Sequence, residues 1–86
     1  MVNCEEIAYA LRKIQDDSSM CAASLMREYN YMKDLHNKVL SVFGNQQVGQ
    51  HLASSLFTAM ERTYDAYCEM YSIGSDTEKM ISRIKR

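Results

Sequence analysis

Phe43-Gly44-Asn45-Gln46-Gln47-Val48-Gly49-Gln50 lies almost at the midpoint of the 86-residue chain and holds two of its three glycines and no charged residue. A short, uncharged, glycine-bearing stretch of this kind reads as a helix-to-helix connection. Phe43, Gly44 and Gly49 are the candidate turn residues. The remaining glycine is Gly74, and the chain has no proline at all, against a usual content of about one residue in twenty. Sandwiches and barrels need turn residues every ~8–12 positions, so an all-β fold is excluded on punctuation alone.

Outward from the turn, each half of the chain carries an apolar stripe at helical spacing. On the N-terminal side it runs Ile7, Leu11, Ile14, Ser18, Cys21, Leu25, Tyr29, Met32, His36, Val39 and Phe43, an average step of about 3.6 residues, the α-helical period. Asn3 followed by Glu6 resembles a capping box and starts this helix near residue 4. Asp16-Asp17-Ser18-Ser19 groups four poor helix formers and is the one place where the stripe weakens and a kink or water could enter, yet one long helix is expected to run through it. On the C-terminal side the stripe runs Val48, Leu52, Leu56, Ala59, Thr63, Tyr67, Met70 and Ile73. The sequence Ser75-Asp76-Thr77-Glu78 after Gly74 reads as a second capping box opening a short last helix with Met80, Ile81 and Ile84.

The expected fold is therefore all-α, one domain over 1–86: an antiparallel two-helix hairpin, about 4–43 and 48–73, with a short C-terminal helix at about 76–85. Such a hairpin has no third layer, so part of its wide apolar band is left uncovered and calls for a partner or a second copy. Seven methionines and six tyrosines suit a surface that repacks against another protein. Tyr64, Tyr67 and Tyr71 form a ridge at steps of three and four, and with Met60 and Met70 they are the candidate partner interface. Tyr29 and Tyr31, two apart, diverge on a helix, so one must face outward.

Ten basic against eleven acidic residues give a net charge of −1, which supplies no field for phosphates and argues against nucleic-acid binding. The longest uncharged, mostly apolar stretch near the N-terminus, Met20–Met26, is far below the ~20 residues of a membrane span, and no membrane insertion is expected. The acidic start, Asn3-Cys4-Glu5-Glu6, is unlike a cleaved secretory signal. Cys4, Cys21 and Cys68 are an odd, widely spaced set, read as free thiols in a reducing compartment with Cys21 in the core. No H-x-x-x-H, E-x-x-H or C-x-x-C occurs. His36 and His51 would meet only if the hairpin closed between them, and no metal, cofactor or enzymatic activity is expected.

The small helical hairpin with an aromatic residue and a glycine at its turn resembles the WXG (Esx-type) proteins of type VII secretion. It is similar above all to the helical targeting factors that accompany LXG-domain toxins. The W-x-G motif would fall on Val42-Phe43-Gly44, where Phe43 stands in the tryptophan's role but directly precedes the glycine. Phe57-Thr58-Ala59-Met60-Glu61 is similar to the F-x-x-x-D motif of the LXG-associated factors, an aromatic and an acid one turn apart on one face. The resemblance implies a non-enzymatic targeting factor or chaperone that binds the helical N-terminal domain of an LXG-type toxin, alone or with a second small helical protein. Phe57 and Glu61 would then be the export motif. It also implies a cytoplasmic protein, or one exported without a cleaved signal. The alternative is a self-assembling structural or regulatory helical protein: a homodimeric four-helix bundle, a phage-encoded inhibitor or a needle-like subunit.

Overall fold

The computed structural model describes residues 3–84 and contains two helices, α1 (Cys4–Phe43) and α2 (Gln47–Ile84), paired as a hairpin 63 Å long. The Asn3 side-chain oxygen caps α1 by accepting from the Glu6 amide at 2.8 Å, and Glu5 and Glu6 place acidic charge in the first turn, where the helix dipole favours it. Between the helices, the Gly44 and Gln46 amides donate back to Leu40 and Phe43, and the Gln50 side chain donates to the Gly44 carbonyl. The connection is therefore satisfied by local hydrogen bonds. Gly44 sits in ordinary right-handed backbone.

Several sequence expectations are corrected. The separate C-terminal helix does not form: α2 runs through Gly74 unbroken to Ile84, and Lys85, the last position expected for the short helix, lies outside the described residues. Thr77, read as part of a capping box, is buried and donates its hydroxyl to the Ile73 carbonyl one turn back, a bond available only inside a continuing helix. By contrast, α1 is continuous through Asp16–Ser19, as the single long helix expected over 4–43 requires. Ser18 donates to the Gln15 carbonyl, and Asp17 pairs with Lys13 at 3.1 Å on the surface. Gly49 belongs to the first turn of α2 rather than to the connection.

A further correction concerns the seam. On α1 it is lined by the buried and half-buried Ala8, Leu11, Gln15, Ser18, Ala22, Leu25, Tyr29, Met32, His36 and Val39. On α2 it is lined by Gly49, Ala53, Leu56, Met60, Thr63, Tyr67, Met70, Gly74, Thr77, Ile81 and Ile84. Both series alternate steps of three and four, a seven-residue repeat with the 3.5 period of a left-handed coiled coil rather than the straight-helix 3.6. Ile7, Ile14 and Cys21 therefore lie one position off the seam and are exposed, while Ala8, Gln15 and Ala22 occupy it. Small side chains are interspersed with large ones along the seam, and where two small ones meet the helices approach closely. Ser18 faces Gly74, where an added Cβ would lie 3.2 Å from the serine oxygen.

Gly49 and Gly74 differ in what surrounds them. A Cβ at Gly49 would collide with the backbone carbonyl and Cβ of Phe43, which cannot yield without reopening the connection. At Gly74 only the Ser18 hydroxyl stands in the way, and alanine gains helix propensity. Gly49→Ala is expected to lower unfolding stability by about 1–3 kcal/mol, and Gly74→Ala to stay within about 1 kcal/mol of the parent, both measured by urea denaturation followed by circular dichroism.

Candidate protein-interaction surface

With small residues between the helices, most large apolar side chains end up beside the seam, and the seven-residue repeat sorts them onto two flanks. One flank is aromatic. Phe57, Tyr64 and Tyr71 follow one another at intervals of seven on α2 and remain 52%, 47% and 68% exposed. Tyr29 packs on Tyr64 with ring centres 5.8 Å apart, Tyr64 on Tyr67 at 6.0 Å, and Tyr67 on Tyr71 at 6.4 Å. The half-buried Tyr29 and Tyr67 thus anchor a ladder whose outer rings are open to a partner. Tyr31 faces outward.

The candidate export pair lies on the same flank. Phe57 leans on the His36 ring at 6.2 Å, and together with Glu61, Tyr64 and Asp65 it borders a shallow depression of about 210 Å³. Nearer the chain ends, a larger groove of about 450 Å³ has a floor of small residues, Ser18, Ser19, Ala22 and Ala23, between walls formed by Met26, Met70 and Tyr71. A bulky apolar side chain from a helical partner would fit such a trough. Negative charge on Cys68, one turn from Tyr64, pushes that hydroxyl's pKa above its ordinary value, with smaller contributions from burial and from the neighbouring Tyr67 and Tyr29.

Not every candidate belongs to this surface. Met60 is 6% exposed and packs within the seam, so it supports the fold and is removed from the partner interface. Met70 is half-buried and reaches only the groove wall. Phe43 is about half exposed at the end of α1, whereas Gly44 and Gly49 act through backbone geometry. The histidines do not converge: His36 meets Phe57, and His51 is solvated near the connection. Cys4, Cys21 and Cys68 are all exposed free thiols, and among the described residues no three His, Cys, Asp or Glu side chains are grouped for a metal. No described helix is long and apolar enough to cross a membrane.

Sequence reasoning misses the opposite flank. It carries Ile7, Ile14, Cys21, Leu35 and Val42 from α1 beside Leu52, Ala59, Ala66, Ile73 and Met80 from α2, with Glu28 as its one charge. Its signal is the interval of seven between Ile7, Ile14 and Cys21, which a 3.6-residue template averages into the core. A search against family models, curated proteins and solved structures finds no match for the chain.

The seam and flank assignments separate by mutation. Met60→Ala is expected to cost about 2–4 kcal/mol of unfolding stability through the cavity it leaves, and Tyr71→Ala less than about 1 kcal/mol because its ring is largely solvated. Equal losses in urea titrations would contradict the assignment.

Proposed function

We propose that this chain is a non-enzymatic helical adaptor that binds a helical partner protein along its aromatic flank. In its specific form it is a targeting factor or chaperone for the N-terminal helical domain of an LXG-type toxin in type VII secretion. The carrying observation is the line of exposed rings, Phe57, Tyr64 and Tyr71, on a hairpin that leaves them unburied. Monomeric soluble proteins rarely expose contiguous apolar surface without a partner for it, and tyrosine is enriched where one side of a ring is buried and its hydroxyl stays wet.

Phe57 and Glu61 support the secretion reading because both are exposed and border one depression. An apolar anchor and a negative charge one turn apart give an export component two contacts on a rigid helix. In this reading the chain loads its toxin in the cytoplasm and presents that pair to the apparatus, with or without leaving the cell itself. Neither step needs a cofactor.

Co-expression with the N-terminal domain of a toxin encoded beside this chain is the test. A stable complex is expected, weakened about tenfold or more by Tyr71→Ala. Phe57→Ala should reduce toxin export while leaving the chain folded. Absence of a complex, together with export indifferent to Phe57→Ala, would refute the reading.

A further inference from the structure

We propose that the aliphatic flank is the face on which a second copy of this chain packs, α1 against α1 and α2 against α2, antiparallel, about a two-fold axis passing at Glu28. The inference is independent of the partner assigned to the aromatic flank, since it uses the other side of the hairpin.

The register of the hairpin is set by three facing pairs: Ser18 with Gly74, Tyr29 with Tyr64, and His36 with Phe57. It places Glu28 level with Tyr64 and Asp65, within about two residues of Ala66, with the apolar residues of the flank on either side. On α1, Cys21 and Leu35 lie one heptad either side of Glu28, and on α2, Ile73 and Ala59 lie one heptad either side of Ala66. Reversal about that level brings Leu35 to the second copy's Cys21 and Ile73 near the second copy's Ala59, a large residue against a smaller one in both central layers, while Ile14 meets the second copy's Val42 and Leu52 the second copy's Met80 toward the ends. Large-on-small layering is how packed helical faces interdigitate. A two-fold interface must be complementary to itself in this way.

The charged edges of the flank choose between the two symmetric arrangements. Among the described residues the only ion pair is Lys13–Asp17, so Arg62, Glu69 and Lys38, all exposed on the outer edges of this flank, have no partner there. The antiparallel arrangement brings Arg62 to the second copy's Glu69 and Lys38 to the second copy's Asp17, each pair occurring twice. Packing two hairpins in parallel would set Asp17 against the second copy's Asp76 and would join no opposite charges. Complementary edges of this kind fix register and exclude wrong partners.

The face is also large enough. From Ile14 to Val42 it runs about 42 Å at 1.5 Å per residue, and with the hairpin's 20 Å breadth it offers about 800 Å² per copy, the size of a standard stable interface. One feature opposes association: the two Glu28 carboxylates approach each other at the axis, which weakens the dimer and makes it depend on concentration.

Sedimentation velocity on the full chain tests this, with circular dichroism confirming that each variant keeps its helicity. The parent is expected to dimerise reversibly, and Leu35→Asp to be monomeric. Arg62→Glu and Glu69→Arg should each weaken the dimer at least about fivefold, while the double variant R62E/E69R should regain most of the parent's affinity. Glu28→Gln, a surface change that leaves the fold intact, should strengthen it. A parent that stays monomeric up to about 1 mM would overturn the second copy as occupant. Failure of the double charge swap to restore the dimer, or of Glu28→Gln to strengthen it, would overturn the antiparallel placement.

Discussion

Everything else in this hairpin depends on the packing of α1 against α2 along a two-sided seam with no third layer. Ser18 faces Gly74; Ala22, Ala53 and Thr77 fill other small positions, and Leu11, Met60 and Ile81 fill the layers between them. Dispersion contacts and short packing distances hold the pair together. The same packing keeps Gly74 inside a continuous helix, because a break there would pull it away from Ser18.

A single seam between two helices leaves many of the large residues without a place in the core. The chain has the apolar content of an ordinary globular domain but no third layer, so isoleucines, leucines, methionines and aromatic rings line its two sides. The seven-residue repeat divides them by chemistry. Rings that carry a polar tip collect on one flank beside Glu61 and Asp65, and aliphatic side chains collect on the other around a single Glu28. A thin rod with two dissimilar sides can hold two neighbours at once.

Much of this is legible in the amino-acid order. The Gly44–Gly49 stretch locates the reversal, the Asn3 cap locates the start of α1, and the exposure of Phe57, Tyr64 and Tyr71 fits their place at the edge of the stripe. The errors share one physical cause. A 3.6-residue template cannot separate a seam position from its immediate neighbour over a long helix, because the difference from 3.5 accumulates by about 20° per heptad. It therefore assigns Ile7, Ile14 and Cys21 to the core in place of Ala8, Gln15 and Ala22, and sets Met60 on the surface. Gly74 misleads for a related reason: a glycine followed by Ser-x-x-Glu is a valid local stop and start, but packing against Ser18 outweighs it.

By itself the sequence determined that the chain is helical, that it reverses once near its middle, and that its two arms carry more apolar surface than they can hide from water, since these follow from punctuation, periodicity and the count of layers. Only the tertiary structure decided which residues meet and which remain outside. That choice is made by supercoiling and by the distance between two backbones, quantities that arise when the helices pack and that neither helix encodes alone.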